Sequence, residues 1–213
     1  MGAPRALFFI LLLTGAFMDL EAQEYRAFAR RYGFEEGLPH RQVNKIIQDR
    51  NGFIWAATNA GVARFDGRQF KVFNKTESGL TGDLVEWVAE DADGNIWASR
   101  SGPTGWLCVL DPLSGKVVPA DTFFRKHPLP VPISNIWKAP TKLADGSLAF
   151  GLIVPGGLLR YHPKMGWKHL KIPDCQGFLL LKTGRQQTVW GLHFTTDTTP
   201  TTLVQMDMNG KIL

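Results

Sequence analysis

A chain of 213 residues with 44% hydrophobic content is long enough to bury a core and too apolar to be a disordered polymer. Its 22 glycines, 13 prolines and 7 tryptophans favour turn-rich β structure over a helical bundle, and no long apolar stripe of helical period follows residue 30. The formal charge is +5, but the basic residues are scattered through runs such as "RRYGF", "FRKHP" and "HPKMGWKH", which argues against a nucleic-acid partner and leaves acidic sugars or a membrane surface as permitted ones.

The first segment reads as an export signal: Arg5 supplies a positive start, Ala6 to Met18 an apolar run, and "LEAQ" a cleavage site after Ala22. The apolar run falls short of the roughly 20 residues that span a bilayer, so an uncleaved anchor is the weaker alternative. Removal of residues 1–22 takes away Arg5, Asp19 and Glu21 and changes the net charge from +5 to +6. The mature chain is then expected in the periplasm or cell envelope. Its two cysteines, Cys108 and Cys175, read as buried thiols, with a disulfide as the alternative in an oxidising compartment.

From residue 37 the chain takes on a short-strand grammar. Val43 to Gln48 is rich in β-branched residues, and "DRNG" closes it with Asp49 and Gly52 at the first and last turn positions. Phe53 to Thr58 and Val62 to Phe65 follow as strands, and Asp66–Gly67 signals a hairpin before Gln69 to Phe73. Residues 37–56 align without gaps on residues 79–98, with eight identities in twenty; Gly37 falls on Gly79, Asp49 on Asp91, Gly52 on Gly94 and Trp55 on Trp97. A repeat of about 42 residues points to a propeller or solenoid. On this reading Gly37 opens the first unit and Gly79 the second. Two looser copies follow: one keeps Asp145, Gly146 and the run Gly157 to Tyr161 but has Ala149 at the Trp position. The last restores Trp190 and places Asp207 where the first copy has Asp66. The expected fold is an all-β β-propeller of about four recognisable four-stranded antiparallel blades, near 37–74, 79–120, 132–170 and 177–213. Residues 25–32 are expected as an outer closing strand, because "YRAFARRYG" maps onto "GRQFKVFNK".

The stretch "GLPHRQVNKIIQDRNGFIWAATNAGVARFDGRQFKVF" resembles the two-component-regulator propeller repeat, with its GLP start, IW pair and closing R-aromatic-DG. The resemblance is strong over residues 37–111 and loose beyond, and the second copy lacks the R-aromatic-DG ending. It implies the exported sensor region of a hybrid two-component system of Bacteroidetes type, with about seven blades, sensing a glycan or another solute. The other domains of the sensor kinase, or further blades, are the implied partners. Membrane attachment and histidine kinase activity would belong to a longer parent chain, of which this chain reads as a fragment; a closed four-bladed ring is the alternative.

Trp55 and Trp97, in equivalent positions, read as packing between blades. Asp91, Asp93 and Asn95 open like a calcium loop, but Ile96 and Gly102 stand where that loop needs Gly and Glu. The five histidines have no zinc spacing, and no nucleophile elbow exists, so no cofactor, metal or catalytic group is expected. The enzymatic alternative is a propeller-fold lyase or glycosidase. A solute would meet the loops on one end of the blades, where Arg41, Asn44, Asn59, Asp83, Arg100 and Ser101 offer multiple donors and acceptors and Trp106 a stacking surface. A stand-alone interaction scaffold is the alternative function.

Overall fold

The computed structural model describes residues 29–100, 105–153, 156–172, 174–184, 188–195 and 202–213. It divides into a unit Met1–Arg31, of which only the last residues are described, and a unit Tyr32–Leu213 that carries every element below. The export signal and Ser101 lie outside the described residues, as do residues 25–28 of the expected closing strand; residues 29–32 carry no strand.

The first sheet is β1 (Val43–Gln48), β2 (Ile54–Thr58), β3 (Gly61–Phe65) and β4 (Phe70–Phe73), hydrogen-bonded in chain order and antiparallel throughout. The second is β5 (Trp87–Glu90), β6 (Ile96–Arg100), β7 (Trp106–Leu110) and β8 (Val117–Pro119). The third comprises β9 (Thr141–Lys142), β10 (Leu148–Leu152), β11 (Gly157–His162) and β12 (Gly166–Lys171), and the fourth β13 (Gly177–Thr183), β14 (Val189–Phe194) and β15 (Thr202–Met206). In the fourth sheet a bridge from Met206 to Ile212 begins a further reversal. Each sheet is one blade, and the innermost strands β1, β5, β9 and β13 contact one another in succession, which is the arrangement of a propeller.

The turns between the first two strands of each blade fix a common register. The amides of Asp49, Asp91, Leu143 and Gly184 donate to the carbonyls of Phe53, Asn95, Ser147 and Thr188 respectively. In the first three blades the residue three further on is a glycine at φ 87°, 93° and 81° (Gly52, Gly94, Gly146), a left-handed conformation in which a Cβ would be strained. Counting six residues from the turn aligns Trp55, Trp97, Ala149 and Trp190. Asp207 accepts from Asn209 and Lys211 as Asp66 does from Arg68 and Gln69. In the second blade Asp111 holds the same corner, accepting from Leu113 and Ser114, so the missing R-aromatic-DG sequence is replaced by another aspartate turn.

Two short helices, α1 (Lys75–Ser78) and α2 (Ala120–Lys126), were not signalled by any long helical stripe. The first corrects the role expected of Gly79. That glycine does not open the second blade but closes α1 as its C-cap, at φ 75°. Asn74 starts the helix by accepting from the Glu77 amide, and its carbonyl then takes the Leu80 amide just beyond Gly79. Gly37 is also left-handed, at φ 97°, but sits in a turn whose amide donates to the Phe34 carbonyl. The two repeat glycines thus share a backbone conformation and not an element, and the second blade's first strand begins eight residues after Gly79, at Trp87.

Three hydrophobic clusters lie between successive blades. Trp55, Val62 and Phe73 of the first blade meet Val88, Ile96 and Leu110 of the second. Trp97 and Val109 meet Phe150, Leu159 and Tyr161, and Leu143, Ala149 and Leu158 meet Phe178, Leu180 and Met206. Helix α2 carries Asp121 in its first turn and Arg125 and Lys126 in its last, as the helix dipole favours. It brings Phe123 onto Trp97 at 4.9 Å between ring centroids, beside Tyr161 and Trp167. Burial, with the charges of Asp91 and Asp93, raises the Tyr161 phenol above its ordinary range.

Both cysteines are free. Cys108 is buried, and desolvation pushes its thiol up to about 12; Cys175 is partly buried.

Candidate ligand-binding site

Trp55 and Trp97 share an arrangement that couples turn and core. The Trp55 indole Nε1 donates to Asp49 Oδ2 at 2.8 Å, and the other oxygen of Asp49 accepts from the Asn51 and Phe53 amides. Trp97 donates to Asp91 Oδ2 at 2.9 Å, with Asp93 and Asn95 amides on Oδ1. Each carboxylate therefore ties a tight turn to the indole that packs against the next blade, and both Asp and Trp are buried. Asp91 is thereby occupied as a structural acceptor, and no group of three or more His, Cys, Asp or Glu able to hold a metal exists among the described residues.

The first two blades are clamped by further polar contacts. Arg50, in the first turn, donates through its amide and Nε to Glu90 Oε1, both at 2.9 Å, and through Nη2 to the carbonyls of Asp91 and Ala92. Lys142 of the third blade takes the other oxygen of Glu90 at 2.5 Å. Burial raises the Glu90 carboxyl, but these hydrogen bonds from Lys142 and Arg50 outweigh it and hold the group below its ordinary range. Arg64 lies over Phe53, 4.6 Å from the ring centroid, and donates to the Pro112 carbonyl.

Most of the loop residues nominated from sequence are held in local structure. Asn44 donates to Asn59 Oδ1 and to the Val85 carbonyl, tying β1 to the β2–β3 turn of its own blade and to the segment that leads into β5. Asp83 accepts from the Lys75 amide at the start of α1. Arg100 ends β6 opposite Trp106, which is half-buried and packs against the first cluster and over Gly82. Arg41 is exposed in the segment before β1. These residues surround the end of the blades where the inner strands begin.

A cleft of about 370 Å³ lies further along the inner strands instead. Lys45 and Gln48 of β1, Trp87 and Glu90 of β5, Lys142 of β9, and Leu181 and Lys182 of β13 form its walls. Val88 and Ala89, which also belong to the interblade clusters, complete the lining, so the cleft runs along the edges of the inner strands rather than over one face. Lys45 and Trp87 occupy equivalent places 42 residues apart, and Lys45 Nζ sits 5.6 Å from the Trp87 ring centroid. A second cavity of about 320 Å³ opens between the third and fourth blades and shares Lys142 and Thr183 with the funnel. Its other walls are Leu143, Ala144, Asp145, Arg160, Gly184, Thr188 and Met208. Asp145 accepts from the Ser147 amide and pairs with Arg160; burial opposes ionisation there but these partners prevail, and its carboxyl is held low. Lysines and an aromatic face around a concavity are groups that can hold a hydroxylated or anionic solute.

Residues 37–60 match the family model for the two-component regulator propeller. That match ends in the turn after β2, before the third strand of the first blade. Virginiamycin B lyase from Staphylococcus aureus, in a catalytically inactive form with quinupristin, superposes with a TM-score of 0.55 at 17% identity over 83% of this chain and 56% of the lyase. At that identity the likeness establishes the propeller fold alone. The extracellular domain of a protein assigned as a hybrid two-component system of B. thetaiotaomicron gives a TM-score of 0.49 at 19% identity, over 78% of this chain and 22% of that one. A second such domain from that organism gives 0.47 at 18%, over 86% and 31%. The chain thus spans well under two thirds of the structures it matches, and no curated protein sequence matches it significantly. Among the described residues no helix is long and apolar enough to cross a membrane.

Proposed function

We propose that this chain is the ligand-sensing propeller module of an exported two-component signalling protein, which binds a glycan or another extracellular solute in the funnel between its inner strands. The observation that carries the reading is the regulator-propeller repeat at residues 37–60. The apolar run after Arg5 supports export to the periplasm or cell envelope, and the funnel supplies a concave surface of suitable size. The module acts by binding and hands its output to a histidine kinase, with no chemistry of its own. The test is deletion of the coding sequence in its native host, followed by transcript profiling on a panel of polysaccharides. Loss of induction by one glycan class is expected; unchanged responses across the panel would sink the sensor reading. Release of products from the same panel by the purified chain would replace it with the carbohydrate-active enzyme.

A further inference from the structure

The register of the turns locates the second cavity. Turn position two is Arg50 in the first blade and Ala144 in the third, each one residue after the amides aligned above. Between the first two blades the Arg50 guanidinium fills the space beside Glu90, Asp91 and Ala92. Between the third and fourth blades the corresponding walls are Thr183 and Gly184, and Ala144 leaves the space open. The side chain that locks the first two blades together has no counterpart here, and a slot that adjoins the funnel lies in its place; the second blade also has an alanine at this position, Ala92, but Gly146 of the third blade comes close against it.

Charge decides what suits the pair of cavities. Glu90 is the carboxylate in the funnel wall, and Arg50 and Lys142 take both of its oxygens. In the slot, Arg160 compensates Asp145. Lys45 and Lys182, both exposed, then leave the funnel with an excess of positive charge beside the half-buried face of Trp87. Ammonium groups next to an indole face suit a ring that has one apolar side and an anionic substituent. The Thr183 hydroxyl and the Met208 side chain, in the slot, suit a neighbouring ring.

We infer that funnel and slot form one site for an anionic oligosaccharide of at least two sugar units, with the carboxylate or sulfate of one unit at Lys45 and Lys182, its ring on Trp87, and the adjoining unit in the slot beside Ala144. This rests on the solute-sensing reading above and narrows it.

The experiment is isothermal titration of the full chain with galacturonic acid, tetragalacturonate and the neutral maltotetraose. Tetragalacturonate is expected to bind at least tenfold more tightly than either of the others, and less tightly as salt is raised. The exposed double variant Lys45→Gln/Lys182→Gln should lose at least tenfold for tetragalacturonate. Ala144→Arg, which refills the slot, should lower tetragalacturonate affinity to that of galacturonic acid and leave the latter unchanged. Circular dichroism and melting curves on each variant keep a folding defect apart from a binding defect. Equal binding of maltotetraose would overturn the anionic assignment while leaving the sensor reading intact. Tetragalacturonate binding that ignores both variants would overturn the site. Failure of every sugar, with native melting curves, would overturn the inference and leave the sensor reading to the transcript test.

Discussion

The junction between the first and second blades and that between the third and fourth are built from the same turn and strand positions by opposite means. The first uses a large indole, a buried carboxylate that ties it to its own turn, and an arginine that reaches across to the next blade. In the other, Leu143 and Ala149 replace the carboxylate and the indole, and both are buried. Gly151, at the position of Ala57, lets the blades approach so closely that a Cβ there would overlap the Phe178 carbonyl. That blade has neither the Asp nor the Trp. The reason is energetic: a buried polar group without its partner costs about 1–3 kcal/mol, whereas replacement of both partners by apolar groups is close to neutral. Size and hydrogen bonding hold one junction, and backbone proximity holds the other.

This contrast can be broken in several places. Trp97→Ala removes the centre of the aromatic cluster around Phe123, Phe150, Tyr161 and Trp167. A loss of about 3–5 kcal/mol is expected, read from the midpoint of urea unfolding. Gly151→Ala should cost about 1–3 kcal/mol through overpacking, while Ala57→Gly at the equivalent place should cost less, since it removes a methyl and introduces no clash. A double-mutant cycle on Asp49→Ala and Trp55→Phe should give a coupling of about 1–2 kcal/mol; the cycle Leu143→Ala with Ala149→Gly should show a few tenths. If the two cycles agreed, the distinction between a polar and an apolar junction would fail.

A smaller effect is expected in acid. Because the Glu90 carboxyl is held low by Lys142 and Arg50, its contribution is present above the ordinary carboxylate pKa of about 4.3 and is lost as pH falls through its lower folded value. Glu90→Gln should therefore lower stability at neutral pH and flatten the decline of melting temperature below that range. Arg50→Ala, whose side chain is 45% exposed, should cost about 1 kcal/mol.

Much of the architecture was legible because the repeat is written in turn chemistry. Asp49, Gly52, Asp66 and Gly67 placed the reversals of the first blade, and the offset of 42 residues placed the Asp91–Gly94 reversal of the second. The same offset misled at Gly79, because a left-handed glycine serves a loop turn and a helix end equally well and the letter does not say which. In the fourth blade Trp190 was readable even though its turn departs from the pattern. What spacing did not reveal is that Asp49 and Trp55 are partners, since a carboxylate at a turn already has a sufficient role as an acceptor for amides. Helix α2 was hidden because its two phenylalanines are adjacent and make no stripe. The loop candidates were chosen for donor capacity, but Asn44, Asn59 and Asp83 spend that capacity on the chain itself. The funnel was not legible at all: Lys45, Trp87, Lys142 and Lys182 come from four separate strands, and only the packing of the blades brings them to one cleft. The sole trace was Trp87 standing where the preceding repeat has Lys45.

The buried indole–carboxylate link also sets the order in which a copied repeat can decay. A mutation that removes either partner alone from an interior blade strands the other away from water, so a drifting copy meets its steepest penalty at the first step and little at the second. A copy whose two partners are both buried is thus confined to changing in pairs, and the third blade, with Leu143 and Ala149 at these two positions, has neither.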